Sequence, residues 1–557
     1  MSGAVERRVM TYHVTLEGDT YEDARDSFEW DVPDDFDAAH DLVGKHDDPK
    51  ARVALFQAYP DGRRETYTFH DLDRLSDRVA AGLADLGVGE GDRVGVVLPQ
   101  KPANPLTHLA CWKLGALSIP LSVLFGPDGL SYRLDDADAR VAVVDADVLG
   151  AVDEAREACP TLERVIAVDA EAGADGADHE FSFLREHDGT YDRAETGPDT
   201  PATVLYTSGS TGPPKGVVHG HALWLGHCPA FQMYFERDLS ASVCWTPADW
   251  AWIGALGDLL FPAWHYGRPV LGYPMGGFDS KTAYALMAEF GVTDAFLPPT
   301  AIRMLMDVDR PTEAYDLDLK AICSGGEPLT PEILDWAAET LDGVAVNELY
   351  GQTEANLLVT NCRQWFPAQA GSMGKPVPGH DVAVIDDETG AVCDTDEVGH
   401  IAVRHGDDPV VFQAYLNKPE KTAAARLEAA NGGEDWHLTG DLGRQDGDGY
   451  LWFKTRDDDL IVTAGYRVGP GEVESAILEH PEVEQVGVVG VPDETRGEVI
   501  KAVVQPIASV VGDDELREEI QQLVRDRLAK HEYPRIVEFR DRLPQTTTGK
   551  IKRRELR

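Results

Sequence analysis

The sequence predicts an α/β protein of at least two domains, on three observations. Apolar runs alternate with amphipathic helical stretches through the first part of the chain, which implies a largely parallel sheet covered on both faces. At 557 residues the chain is too long for one core. A charged stretch, Lys454-Thr455-Arg456-Asp457-Asp458-Asp459, then separates an apolar strand from a fresh apolar run, and residues 460–557 read as a small α+β unit.

The elements follow in order. Arg52–Phe69 reads as a hairpin around Pro60-Asp61-Gly62, and Leu72, Leu75, Val79, Leu83 and Leu86 recur at helical spacing up to Gly87. Val94–Leu98, Val141–Val144 and Val165–Val168 read as buried strands, with helices at 106–115 and 130–135 between the first two. Thr203–Tyr206 is a further strand, Ala222–Phe235 a helix, and Ala321–Cys323 a short strand leading to a helix that starts near Pro331. In the last unit Glu472–Glu479 and Asp514–Leu528 are helical, with Val483–Val491 and Val499–Val504 as strands.

Lys+Arg 50 against Asp+Glu 98 gives a formal charge of -48, which repels nucleic acid and anionic lipid as partners. The acid is dispersed, at Asp34-Asp35, Asp135-Asp136, Asp386-Asp387-Glu388 and Asp513-Asp514-Glu515, with 15 lysines in the whole chain. Such a surface suits a salt-rich cytoplasm, where ions screen self-repulsion. Its 43% hydrophobic content argues for a packed core rather than disorder. Seven cysteines without a C-x-x-C pair suggest reduced thiols, hence a cytoplasmic location, and neither a signal peptide nor a membrane span is evident.

One stretch, Thr203 to His221, concentrates hydroxyls, glycines and a lysine. Thr207-Ser208-Gly209-Ser210-Thr211-Gly212 offers hydroxyl and N–H donors, glycines let the backbone approach an anion, and Lys215 adds a positive charge. It reads as a phosphate cradle, although Pro214-Lys215-Gly216 departs from the usual P-loop and such a cluster alone is compatible with an ordinary loop. Trp245, Trp250 and Trp252 form an aromatic cluster that suits either a core or a pocket wall. Glu348-Leu349-Tyr350-Gly351-Gln352-Thr353-Glu354 joins an aromatic face, a hydroxyl and a carboxylate; alone, Glu354 would pass for a solvated loop acid. Asp441 in Thr439-Gly440-Asp441 suits a turn cap or a two-oxygen acceptor. Residues 544–557 reverse the sign of the chain, as a basic tail docking on an acidic body would.

These segments, in this order, resemble the adenylate-forming superfamily, and YGQTE with PDETRGEV (492–499) resembles its medium-chain acyl-CoA synthetases. The resemblance implies a large N-terminal domain (1–455) of β-α-β subdomains with a small barrel, a hinge (456–459) at Asp458, and a small mobile C-terminal domain (460–557). It implies ATP, Mg²⁺ and CoA as reactants or cofactors, and a carboxylic acid as substrate. ATP falls to Thr207–Gly212, Lys215, the adenine segment Gly325-Gly326-Glu327, Glu348–Thr353 with Tyr350 stacking, Asp441 on the ribose, Arg456 and Lys550. Glu354 binds Mg²⁺, and Lys550 with Thr353 and Glu354 forms the catalytic set. Trp250, Trp252, Gly351, Thr353 and Arg467 fall at the acyl site, where glycine at 351 leaves room for a longer or aryl chain. CoA falls to Ala464, Gly465, Tyr466, Arg496 and Arg525.

Overall fold

The computed structural model describes residues 12–207, 213–326, 329–406, 408–427, 435–463, 466–493, 496–528, 532–545 and 551–557; of Asp458, Tyr466 and Arg467 it describes only the backbone. Ser208–Gly212, Glu327, Ala464, Gly465 and Lys550 therefore lie outside the described residues. The chain divides into two units. The first comprises Met1–Val382, Val403–Glu428 and Gly433–His437, and the second Ala383–Ala402, Ala429–Gly432 and Leu438–Arg557.

Two sheets build the first unit. The eight-stranded one runs Ala414–Tyr415, Lys215–Gly220, Pro201–Thr207, Leu117–Pro120, Arg93–Val97, Val141–Asp145, Arg164–Val168 and His179–Glu180. From Pro201–Thr207 to His179–Glu180 its neighbouring strands pair in parallel, as Arg93–Val97 does with both Leu117–Pro120 and Val141–Asp145, because helices return the chain between strands. The nine-stranded sheet runs Lys375–Pro376, Asn356–Thr360, Ala345–Gln352, Ala321–Gly325, Asp294–Phe296, Cys244–Trp245, Val270–Gly272, Val53–Ala58 and Arg64–Thr68, ending in the antiparallel hairpin expected from the sequence.

The helix Phe69–Asp85 shows how local sequence sets an element. Thr68 accepts from Asp71 N–H while the Asp71 carboxylate accepts from Thr68 N–H, a reciprocal cap. Leu72, Leu75, Val79 and Leu83 are buried along one face, and Gly87 turns the chain away at φ +86.

A further sheet holds the strands Val382–Ile385, Val398–Arg404, Trp436–Gln445 and Leu451–Arg456. The terminal sheet runs Tyr466–Val468, Ile461–Thr463, Gly497–Pro506 and Val483–Asp493, with Ile536–Phe539 parallel to Gly497–Pro506. The helix Asp514–Arg527 buries Leu516, Ile520 and Val524 against it at four-residue spacing, after Asp513 caps Leu516 N–H. All seven cysteines are free thiols. Among the described residues no helix is long and apolar enough to cross a membrane.

Candidate active site

Two strands flank the expected cradle. Pro201–Thr207 pairs antiparallel with Lys215–Gly220, and the register sets Thr207 opposite Lys215. The loop between them is therefore pinned at both ends by one strand pair. A helix follows the glycines in the P-loop, whereas here a second strand does. Thr207 Oγ1 is buried without a hydrogen-bond partner among the described residues, and so is Ser324 Oγ at the end of a strand in the other sheet. Orphaned hydroxyls of this kind fit a polyanionic ligand that supplies the missing acceptors.

The segment Glu348–Glu354 straddles the end of a buried strand. Ala345–Leu349 is buried and pairs in parallel with Ala321–Gly325, whereas Tyr350, Gly351, Gln352 and Thr353 emerge half-buried. The chain then turns back through Asn356, whose φ is +61 and whose side-chain N–H donates to Val410 O at 2.7 Å. His219, on the cradle's return strand, lies with Nε2 2.7 Å from the Thr353 carbonyl oxygen. Facing an acceptor, that nitrogen carries the hydrogen; burial lowers the pKa of His219 to about 3, so the ring is neutral.

Glu354 is buried, and its Oε1 accepts from the Tyr415 hydroxyl at 2.7 Å. Lys215 Nζ stands 3.9 Å from the same oxygen and 4.1 Å from the centroid of the Tyr415 ring. Glu354 Oε2 has no hydrogen-bond partner among the described residues. There is no group of three or more His, Cys, Asp or Glu side chains among them that could cage a metal. A single open carboxylate oxygen fits Mg²⁺, which keeps water and phosphate oxygens in most of its shell, and does not fit a protein-caged ion.

Three sequence expectations change here. Gly351 was expected to leave acyl room, but a Cβ there would fall 2.0 Å from the Asn356 carbonyl oxygen. The missing side chain is taken up by the close approach of Asn356–Thr360 at an irregularity between Tyr350 and Gly351. Glu348 was placed among the ATP contacts, but its carboxylate is buried and accepts from Leu329 N–H at 2.9 Å. Burial, outweighing the Leu329 hydrogen bond, pushes its pKa up to about 8. Trp250 is fully buried and packs against Gly272, so it offers no open wall, whereas Trp252 is half-buried with its ring edge on Phe125. Just before Trp250, Asp249 accepts from Ser122 Oγ–H at 2.6 Å, and burial raises its pKa to about 6.

In the adenine segment, Gly326 takes φ +89 and Gly325 lies so close to Leu349 that no Cβ fits. Tyr350 is half-buried at the end of the neighbouring strand.

In the second unit, Asp441 and Arg456 are register partners on adjacent strands, with Nη1 3.3 Å from Oδ1. Asp441 is buried and Arg456 half-exposed, and Gly440 at φ +73 makes the turn that lets Asp441 N–H donate to Thr439 Oγ1. Thr463 and Tyr466 are antiparallel register partners, with Arg467 opposite Val462. Arg496 N–H donates to Asp493 Oδ1 at 2.9 Å, and the exposed Arg525 lies 4.0 Å above the Tyr533 ring. Arg553, beyond Lys550, donates to both oxygens of Glu474 and to Asp459 Oδ2 at 3.0 Å. The basic tail is thus docked on acid through Arg553.

Residues 45–416 match the family described as AMP-binding enzyme, and residues 472–550 its C-terminal domain. The chain belongs to the AMP-binding enzyme family. It is 34% identical over 539 residues to the mitochondrial acyl-coenzyme A synthetase ACSM4 of Rattus norvegicus, covering 94% of this chain and 91% of that one. Its fold matches the anthranilate CoA ligase AuaEII, solved with anthranoyl-AMP, at TM-score 0.81 and 26% identity, over 94% of this chain and 97% of that one. ATP-bound MatB from Rhodopseudomonas palustris matches at TM-score 0.80 and 26% identity, over 94% and 98%. Tyr415 and His219 escaped the sequence reading, since each meets its partner only through strands distant in the chain.

Proposed function

We propose that this chain is an ATP-dependent acyl-CoA synthetase that joins a carboxylic acid to CoA through an acyl-adenylate. The observation that carries the reading is the Lys215, Tyr415 and Glu354 cluster beside a strand-pinned hydroxyl-glycine loop, in a chain of the AMP-binding enzyme family. A lysine at the start of the return strand, 3.9 Å from a buried carboxylate, suits a magnesium nucleotide.

The substrate carboxylate attacks the α-phosphorus of ATP, pyrophosphate leaves, and the CoA thiol then attacks the acyl carbonyl and displaces AMP. Thr207–Gly212 and Lys215 hold the β- and γ-phosphates, Tyr350 stacks on adenine beside Gly325–Glu327, and Asp441 accepts the ribose hydroxyls. Mg²⁺ held by Glu354 would neutralise charge on the phosphate oxygens when bound. Thr353 and Lys550 meet the α-phosphate where negative charge grows, and removing one such group costs about 3–4 kcal/mol of transition-state stabilisation. The AMP is the activating group, so no protein nucleophile is required. Arg456 contacts the nucleotide, Asp458 is the hinge of the mobile domain 460–557, and Ala464, Gly465, Tyr466, Arg496 and Arg525 receive CoA, with Arg467 near the reacting end. The acid is medium-chain, branched or aryl, with Trp252 the better-placed aromatic wall; the enzyme works in a salt-rich cytoplasm.

A panel of carboxylic acids, read by pyrophosphate release with and without CoA at high salt, tests the proposal. CoA-dependent thioester and AMP formation on a medium-chain or aryl acid supports it. Turnover confined to acetate and propionate makes it a short-chain ligase, and adenylate transferred only to a carrier protein refutes the CoA reading.

A further inference from the structure

Asp258 brings a carboxylate to the nine-stranded sheet without spending both of its oxygens. It follows Trp252 on one helical stretch, where the short helix Ile253–Ala255 widens into a π-helical turn at Leu256–Leu260, closed by Phe261 N–H on Leu256 O. The Tyr234 hydroxyl donates to the Asp258 carbonyl oxygen at 2.6 Å and fixes that turn. His227 Nδ1 stands 3.1 Å from Asp258 Oδ1, and both side chains are buried. Facing a carboxylate, Nδ1 carries the hydrogen and orients the group. Burial pushes the Asp258 carboxyl up in pKa, and the His227 hydrogen bond opposes it. Oδ2 has no hydrogen-bond partner among the described residues. Two glycines make the room. A Cβ on Gly257 would fall 2.6 Å from the His227 ring, so only glycine lets the imidazole lie there, and a Cβ on the half-buried Gly254 would lie 3.4 Å from Asp258 Oδ2 and 3.2 Å from the ring edge of Phe296. The side chain missing at 254 thus leaves a gap bounded by Oδ2 and Phe296, on the stretch that begins at half-buried Trp252.

The strand register gives this gap its depth. Phe296 ends the strand Asp294–Phe296, level with Cys323, which is level with Asn347. That level is two residues short of the Gly325–Leu349 pair, so it lies about 7 Å deeper along the strands than the adenine segment and Tyr350. In open α/β sheets ligands sit outside the carboxyl ends of the strands, which is the end these residues share. We propose that Asp258, oriented by His227, is a specificity-determining residue of the acyl site, which takes an aryl or medium-chain acid carrying an uncharged hydrogen-bond donor, a hydroxyl or an arylamine, at the end remote from its carboxylate. The donor fills the open Oδ2, while Trp252 and the Phe296 edge take the apolar body. A site built to hydrogen-bond its substrate rejects the analogue lacking the group, because a buried acceptor is then left unpaired. The inference rests on the acyl-CoA synthetase reading proposed above.

CoA-dependent AMP release by the full-length chain is measured at high salt on matched acids: benzoate against its para-hydroxy and para-amino derivatives, and octanoate against its ω-hydroxy derivative. In wild type the donor-bearing acid of at least one pair should be favoured in kcat/KM by roughly ten- to a hundredfold, the size of one hydrogen bond to a charged group. Asp258→Leu should erase or invert that preference, since the acceptor is gone. Gly254→Ala, which sets a methyl group against Oδ2, should lower it as well. A merely structural role would cut turnover of both acids in a pair alike. Wild type that uses every plain acid at least as well as its donor-bearing partner overturns this inference and leaves the synthetase reading standing. A preference that survives both substitutions overturns it too. Failure of every acid to release AMP with CoA refutes the synthetase reading and this inference with it. Melting curves on the same samples identify an unfolded variant, and Gly254→Ala carries the test if Asp258→Leu does not fold.

Discussion

Replacing Glu348 with glutamine should make the protein more stable in alkali and less so in acid. Glu348 sits on the buried strand Ala345–Gln352, its carboxylate held by Leu329 N–H, and burial lifts its pKa from 4.5 to about 8. The folded state therefore keeps a proton that the unfolded chain releases between those two values. The contribution to stability is greatest below pH 4.5, falls as pH rises, and levels off above about 8. The difference of about 3.5 between the two pKa values, at about 1.36 kcal/mol each, is worth roughly 5 kcal/mol, a large share of a domain's net stability. Glutamine keeps the acceptor for Leu329 N–H but brings a buried NH₂ that must find a partner, at a cost of about 1–3 kcal/mol. The variant should thus be destabilised below pH 4.5 and should gain on wild type by about 1.4 kcal/mol per pH unit up to pH 8. It should end a few kcal/mol ahead at pH 9. Urea unfolding at fixed high salt from pH 5 to 9 measures this. A wild type–variant difference that stays constant over that range would refute the argument, because it would mean that Glu348 ionises alike in both states.

Gly351→Ala should lower the melting temperature and Gly351→Trp more so, since a Cβ must push the Asn356 carbonyl aside; an undiminished melting point with acyl preference moved toward acetate would restore the pocket reading. Lys550→Ala should abolish acyl-adenylate formation yet leave conversion of a supplied acyl-adenylate and CoA intact. Asp458→Pro, by fixing φ near −65°, should do the reverse, and equal loss of both half-reactions in each variant would contradict a hinged domain. Lowering salt from 1 M to 0.1 M stretches the Debye length from about 3 to about 10 Å and should destabilise a chain of formal charge -48; an unchanged thermal midpoint would sink the salt-adapted reading.

What the sequence makes legible here is local. A run such as Val141–Val144 is buried on both faces and reads as a parallel strand because nothing in it alternates, and the Phe69–Asp85 helix announces itself through its cap and its apolar spacing. The cradle was recognisable from its glycines and hydroxyls, but its return strand was not. Lys-Gly-Val-Val-His-Gly carries two glycines and a histidine that would ordinarily face water, and only the Thr353 carbonyl explains why His219 is buried instead. The two tryptophans separate for a related reason: Trp250 and Trp252 are two residues apart and alike in composition, so only packing against Gly272 or Phe125 distinguishes core from wall. Tyr415 lies 61 residues from Glu354, in a two-residue strand without periodicity, and no spacing rule reaches it. The groups proposed to meet the ligand therefore cluster in short motifs, where the chain itself fixes their geometry. Those that orient them arrive from other strands, and their partners become visible only when the sheet is assembled.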